Sequence, residues 1–279
     1  MSIGVHTNKS ALTALQTLNR TTRNLEESQG RLNTGYKVAT AKDNAAVYAV
    51  AQGQRADTSA LSSVKTSMDR ATSILDVALS AGESISDLLN QMKAKIVSAM
   101  DPSIDADARA AYDNDFKALL KQVGTIIANA TFDGANLLDS GASISFLANS
   151  EATSRITVTG KNLSIGSASN TTLTLSLGAN LLTLTAASGA LTQLQASIPK
   201  VNAALGQLGS HAKEIEAHNI FVSKLMDVLE AGIGNLVDAD LAKESARLQG
   251  LQVQQQLGTQ ALSIANQAPQ VVLNLFRGG

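Results

Sequence analysis

The sequence predicts a mainly α-helical protein in which long antiparallel helices from both chain ends form coiled-coil or rod domains, with a small β-hairpin-rich insertion. Two apolar seams of similar length, amphipathic segments at both ends and a change of periodicity near the middle indicate this class. Of the 279 residues, 44% are hydrophobic and 3% aromatic, and there is no cysteine or tryptophan. The apolar surface is therefore aliphatic, and its extent argues against disorder of the whole chain.

The first seam lies between residues 61 and 99, where apolar residues alternate in steps of three and four. This spacing predicts one helix of roughly 60 Å whose narrow apolar stripe packs on another helix. Asp101-Pro102 ends it, because proline disfavours helical geometry at the preceding residue. Gly82 is the one member that is not plainly apolar. The seam consists of Leu61, Val64, Met68, Ala71, Leu75, Ala78, Gly82, Ile85, Leu89, Met92, Ile96 and Ala99.

A second seam of the same spacing predicts a helix of roughly 54 Å, close in length to the first. It consists of Val201, Leu205, Leu208, Ala212, Ile215, Asn219, Val222, Met226, Leu229, Ile233 and Leu236. Asn219 is its polar member. Two interpretations stay open for Asn219: it fixes the register of the pair at some cost in stability, or it is a polar residue merely tolerated there.

A shorter helix is predicted over residues 103–130. Ser103 is the expected N-cap, and Asp105 and Asp107 suit the positive end of the helix dipole. The expected apolar stripe consists of Tyr112, Phe116, Leu119, Val123 and Ile126.

Between residues 131 and 190 the apolar period changes to two. Residues 156–159 and 173–177 alternate apolar with hydroxyl side chains, and glycines separate them. This pattern predicts short antiparallel strands with one buried and one solvated face.

Both chain ends carry amphipathic helical patterns. Leu18, Leu25 and Leu32 recur every seven residues near the front, and Leu241, Leu248 and Leu262 share one heptad phase near the back. Isolated helices of this length are marginal in water, so the two ends need each other and other subunits. The pattern divides the chain into a terminal coiled-coil domain (residues 1–35 and 241–279), a helical rod domain (36–130 and 191–240) and a β-rich region (131–190).

The composition disfavours several classes of function. A formal net charge of −1 argues against a nucleic-acid partner, which requires a basic face. The sequence contains no window of 18 apolar residues, so it predicts no membrane-spanning helix. The first residues do not show the basic segment followed by an apolar segment that is typical of a secretory signal. His211 and His218 are seven residues apart, too far to bind one metal directly. We therefore expect no catalytic residues, no cofactor and no metal site.

Short motifs in the front half resemble bacterial flagellin. Residues 31–38 (R-L-N-T-G-Y-K-V) and 41–46 (A-K-D-N-A-A) are similar to the family's R-L-S-S-G … A-K-D-D-A-A stretch. Residues 132–138 (F-D-G-A-N-L-L) are similar to F-N-G-x-x-L-L.

The back half carries a second group of similar motifs. Residues 238–240 match D-A-D, and residues 254–262 with 265–267 resemble Q-Q-A-G-x-x-x-L-A-Q-A-N-Q. Residues 269–275 (P-Q-V-V-L-N-L) resemble P-Q-x-V-L-x-L-L. The likeness covers residues 1–138 and 190–277, and the short middle resembles the compact flagellins of alphaproteobacteria.

The resemblance implies a structural subunit that polymerises into the bacterial flagellar filament for swimming motility. In flagellins the two chain ends form an inner coiled coil around a channel, the long helices lie outside it, and a variable middle faces the solvent. The resemblance also implies secretion through the flagellar type III export apparatus with an export chaperone, and contact with hook-associated and cap proteins. No cleavable signal is required on this route.

The resemblance and the seams together select the expected inner-core subunit interface. It consists of Leu18, Leu25, Leu32, Leu248, Leu257, Leu262, Leu273 and Leu275. The alternative for each leucine is packing within its own chain only.

Residues 91–97 (Q-M-K-A-K-I-V) correspond to the segment Q-R-V-R-E-L-A-V that a Toll-like innate immune receptor recognises in some flagellins. Lys93 replaces an arginine and loses its bidentate hydrogen bonding, while Ala94 and Lys95 remove a carboxylate and an apolar anchor. The departures predict weak or no activation of that receptor.

Three alternatives stay open. A hook–filament junction protein shares flagellin-like ends but would adapt rather than polymerise. An enzyme in the central region is disfavoured, because that region contains no histidine or cysteine. The many hydroxyl residues between Ser140 and Ser188 permit O-glycosylation or form a plain solvated surface.

Overall fold

The computed structural model describes residues 7–166, 172–176 and 178–277, with side chains as far as Gln267. Its elements are α1 (Lys9–Thr34), α2 (Ala45–Ala99), α3 (Ala106–Asn129), β1 (Ser143–Leu147), β2 (Arg155–Thr159), α4 (Leu184–Val237) and α5 (Leu241–Arg277). The predicted class is confirmed: long helices dominate, and one small antiparallel sheet interrupts them. The chain divides into a terminal unit, residues 1–56 with 228–279, and a central unit, residues 57–227.

The first seam of α2 is the core of the central unit. All twelve predicted members are buried. Leu205 of α4 explains why a glycine occupies this seam position, since a methyl group built at Gly82 would overlap the Leu205 side chain. The helix begins earlier than the seam, because the Asn44 side chain accepts a hydrogen bond from the N–H of Val47 at 3.1 Å and caps it.

The second seam lies in α4, and none of its eleven members is exposed. At 54 residues α4 almost matches the 55 residues of α2. Asn219 Nδ2 donates a hydrogen bond to Asp69 Oδ1 of α2 at 2.7 Å. This directional bond between the two helices favours the first interpretation of Asn219, in which it fixes their register.

The structure corrects the prediction for α3. Asp105, not Ser103, is the N-cap and accepts the Ala108 N–H at 2.7 Å, while Ser103 hydrogen-bonds back to Asp101. Phe116 and Val123 of the predicted stripe are buried as expected, whereas its other members, Tyr112, Leu119 and Ile126, are half-buried and the residue after each of them is buried instead. The members of the buried face are Asp113, Phe116, Leu120, Val123 and Ile127.

Asp113 is the polar member of this buried face. One carboxylate oxygen accepts the N–H of Leu181 at 2.7 Å, and the other pairs with Lys117 Nζ at 2.7 Å. Because the carboxylate finds both partners, it tolerates burial. A search for apolar residues at helical spacing leaves out a buried aspartate of this kind.

The described part of the β region contains one hairpin. β1 pairs antiparallel with β2, with Phe146 opposite Ile156 and Ile144 opposite Val158. Phe146 and Val158 are buried, and Ser145 and Thr157 share a hydroxyl hydrogen bond of 2.9 Å on the outer face. The predicted strand over residues 156–159 is confirmed.

The second predicted strand, over residues 173–177, is wrong for its described part. Residues 173–176 pair with no strand, and Leu177 lies outside the described residues. Leu173 and Leu175 are buried, while Thr174 Oγ1 lies 3.1 Å from Ser197 Oγ of α4. The alternation therefore reflects packing on a helix rather than on a neighbouring strand.

Candidate assembly surface

Polar caps begin both terminal helices. Asn8 Oδ1 accepts the Ala11 N–H at the start of α1, and Asp240 Oδ1 accepts the Lys243 N–H at the start of α5, each at 3.1 Å. Asn8 Nδ2 also donates to the carbonyl of Ala265 in α5 at 2.6 Å. One side chain thus caps α1 and joins it to α5.

The two terminal helices pair in opposite directions. The Asn8 end of α1 meets Ala265 of α5, and farther along Ser28 Oγ donates to the carbonyl of Glu244 at 3.4 Å. Only Thr21, Leu25 and Ser28 of α1 are buried. The pairing therefore covers a narrow strip of α1.

The segment that follows α1 forms backbone hydrogen bonds with the end of α4 and the segment between α4 and α5. Gly35 ends α1 with φ 74°, which glycine adopts without strain. The N–H of Lys37 donates to the Val237 carbonyl at 2.7 Å, and the N–H of Ala239 donates to the Gly35 carbonyl at 2.8 Å. The front motif at residues 31–38 and the back motif at 238–240 thus meet in space.

Large apolar side chains remain exposed on the described part of the terminal helices. We call five of them the assembly surface: Leu12 (54% exposed), Leu15 (42%), Val253 (55%), Leu257 (58%) and Ile264 (69%). Full burial of a side chain of this size stabilises by about 1.5–3 kcal/mol. A single chain leaves much of that stabilisation unused.

The predicted interface leucines have different environments. Leu25 is buried within its own chain, while Leu257 is one of the most exposed. Leu18, Leu32, Leu248 and Leu262 are half-buried, and the side chains of Leu273 and Leu275 lie outside the described residues.

Sequence reasoning missed Val253 and Ile264, which share an exposed row of α5 with Leu257. The signal was present, since Leu257 and Ile264 are seven residues apart and Val253 precedes Leu257 by four.

The receptor-motif positions lie on α2 in the central unit. Lys93 and Ala94 are exposed. Lys95 Nζ binds Asp115 Oδ2 at 2.7 Å and lies 5.9 Å from the Tyr112 ring centroid. The hydrogen bond and charge of Asp115 raise the pKa of Lys95. Weak receptor activation stays a prediction.

The two histidines of α4 make local contacts. His218 lies 2.8 Å from the carbonyl oxygen of Ala148, and His211 lies 3.4 Å from Glu214. Among the described residues, no group of three His, Asp or Glu side chains is arranged to hold a metal ion. None of the helices in that part of the chain is both long and apolar enough to span a membrane.

Comparison with known proteins identifies two matching family regions. Residues 5–143 match the bacterial flagellin N-terminal helical region, and residues 191–276 match the bacterial flagellin C-terminal helical region. Flagellin FljJ of Caulobacter vibrioides is 49% identical and covers 100% of both chains. A flagellin of Brucella melitensis is 36% identical over 98% of each chain. The crystal structure of Bacillus cereus flagellin aligns with 56% of this chain and 87% of its own at 21% identity, with a TM-score of 0.48.

Proposed function

This chain belongs to the bacterial flagellin family, and we propose that its assembly surface is where α1 and α5 contact other copies of the chain. Family members are structural subunits of the extracellular flagellar filament, so self-assembly into that filament is the function of this chain. The proposal concerns which side chains form the contacts between copies in that filament.

The exposure of the assembly surface is the observation that carries the proposal. On the two helices that pair through a narrow strip, the five side chains of the assembly surface are 42–69% exposed. Contacts between different faces of identical subunits generate an open filament when the rotation that relates neighbouring copies does not close into a ring. Burial of these side chains between copies supplies the driving force.

We extend the proposal to the domains and to the remaining leucines. In this proposal, residues 1–35 and 241–279 belong to the inner coiled coil, residues 36–130 and 191–240 to the helical rod, and residues 131–190 to the outer region. In the assembled filament, the inner core also includes the seven other leucines of the expected interface. These are Leu18, Leu25, Leu32, Leu248, Leu262, Leu273 and Leu275.

We propose further that the chain is not an enzyme and that it leaves the cell through the type III export apparatus with an export chaperone. Exposed apolar side chains need shielding before assembly, which a chaperone provides. A chain without cysteine forms no disulfide that would oppose unfolded export. Hook-associated and cap proteins are the proposed partners at the two filament ends. The relatives named above are flagellins, and no observation favours a hook–filament junction protein.

Seeded elongation tests the proposed function. Purified chain is added to fragments sheared from filaments of the same protein, and fragment lengths are followed by negative-stain electron microscopy. A filament subunit lengthens the fragments in proportion to its concentration. A helical, monomeric chain that leaves fragment length unchanged would contradict the proposal.

A further inference from the structure

An aspartate followed by a glycine forms a tight turn between α3 and β1. Asp133 and Gly134 both have positive φ, 50° and 75° respectively. The N–H of Phe132 donates to the Ala135 carbonyl at 3.0 Å, and the N–H of Ala135 donates to the Phe132 carbonyl at 2.9 Å. Two central residues of positive φ are typical of a type I′ turn, in which Asp-Gly is a preferred pair.

The backbone nitrogen of Gly134 is open to reaction with the Asp133 side chain. Gly134 has no side chain to shield this nitrogen, and a methyl group built on the residue would meet no atom within 4 Å. The Gly134 N–H donates to no acceptor among the described residues. The Asp133 side chain is 64% exposed, so water reaches both groups.

Arg70 of α2 pairs with the carboxylate in this turn. Its Nη2 lies 2.8 Å from Asp133 Oδ2. This ion pair directs the carboxylate toward α2, and so it restrains the rotation that brings Asp133 Cγ to the Gly134 nitrogen. Both side chains are more than half exposed, so the restraint is weak and sensitive to salt.

We propose that Asp133-Gly134 is a site of slow self-modification to isoaspartate, and that Arg70 restrains the reaction. The Gly134 nitrogen attacks Asp133 Cγ and forms a new C–N bond, while the carboxyl hydroxyl and the amide proton leave together as one water. The resulting succinimide ring then takes up one water. Cleavage of the Cγ–N bond restores aspartate, whereas cleavage at the main-chain carbonyl carbon gives isoaspartate. The two waters balance, and no oxidant, reductant or cofactor is needed.

The modification changes the main chain next to a buried part of the central unit. Isoaspartate adds one carbon to the main chain, because the chain then runs through the side chain of residue 133. Directly after the turn, Asn136 Nδ2 donates to the Ile127 carbonyl at 2.7 Å, and Leu137 and Leu138 are almost fully buried. A lengthened turn therefore disturbs the link between α3 and these leucines. This inference concerns a single chain and does not depend on the assembly surface.

Ageing of the full chain in water enriched in oxygen-18 tests the proposal. Each passage through the succinimide introduces one heavy oxygen at residue 133, which peptide mass mapping locates. We expect Arg70→Gln to incorporate the label about two- to fivefold faster than wild type at low salt, as for the loss of an exposed ion pair. Arg70→Lys keeps the charge and should restore a rate near that of wild type. Arg155→Gln, at an exposed arginine of β2, is the control of equal charge change.

Salt distinguishes the ion pair from a loss of structure. At about 1 M salt, where charges are screened beyond roughly 3 Å, the wild-type rate should approach that of Arg70→Gln, while circular dichroism shows the same fold for both. The proposal is refuted if residue 133 incorporates no label in Arg70→Gln, if Arg70→Gln and Arg155→Gln react at equal rates, or if high salt leaves the difference intact. Failure of seeded elongation would change none of these rates, so it would overturn the proposed function alone.

Discussion

Leu18 of α1 packs directly against Gly258 of α5. A methyl group built at Gly258 would lie 3.2 Å from Leu18 Cδ1 and 3.8 Å from its Cβ. Any larger side chain would push the terminal helices apart. The glycine in the back motif therefore has a physical role, which is to let α1 and α5 approach.

Gly258→Leu is predicted to separate α1 from α5, because overpacking at a tight contact costs about 1–3 kcal/mol. Faster amide exchange in both helices of the monomer measures the loss. Gly250→Leu is the matched control on the same helix, since a methyl group at Gly250 meets nothing within 4 Å. Equal exchange rates in the two variants would show that the approach of Leu18 to Gly258 is unimportant.

Gly82→Leu is predicted to destabilise the central unit by a similar amount, about 1–3 kcal/mol, because the new side chain competes with Leu205 for the same space. Denaturant unfolding followed by circular dichroism measures the change. Gly206→Leu, on α4 beside Leu205, meets open space and serves as the control. An unchanged midpoint for Gly82→Leu would contradict the assigned role of Gly82.

Leu257→Asp is predicted to leave the monomer folded and to abolish seeded elongation, because it places a charge where copies of the chain meet. Leu182→Asp, at a leucine of similar exposure in the central unit, should elongate normally. Leu25→Asp should also prevent filaments while the central unit stays folded. Since Leu25 is buried in its own chain, however, that variant tests helix pairing as well as assembly. Normal filaments from Leu257→Asp would contradict the proposal that the assembly surface contacts other copies of the chain.

Acid is predicted to open the turn before α2. The N–H of Thr40 is the main cause that holds the pKa of Asp43 below its ordinary value of 3.8, with further hydrogen bonds from the Thr40 hydroxyl and the Ala39 N–H. A lowered pKa means that the ionised turn is stabilised above pH 3.8, and that this stabilisation disappears as the pH falls through the lower folded-state value. The Thr40 amide resonance should therefore shift below pH 3.8. Asp43→Asn should abolish the shift, and a shift retained in that variant would contradict the assignment.

The seams could be predicted from the sequence because nearly all of their side chains obey one spacing. Gly82 was the member of the first seam without an apolar side chain, and the close approach of Leu205 in the structure explains the glycine at this position. Only Phe116 and Val123 of the buried α3 face were predicted, and Asp113 could not be, because it is polar yet buried with two partners. Alternation over residues 173–176 gave the wrong element, since helix α4 rather than a strand provides the hydrogen-bonding partner of Thr174.

The candidate site was only partly predictable for a related reason. Heptad spacing identifies apolar residues, but it does not say whether a leucine packs inside its own chain or faces another. Leu25 and Leu257 satisfy the same rule and lie at opposite extremes of exposure. The distinction depends on which strip of α1 the partner helix covers.

Amide hydrogen exchange of α1 and α5, compared between dilute monomer and assembled filament, tests the central claim most directly. If the assembly surface is covered only by other copies, residues 9–34 and 241–267 exchange faster in the monomer than in the filament. Strong protection of both helices in the dilute monomer, unchanged on polymerisation, would contradict the claim.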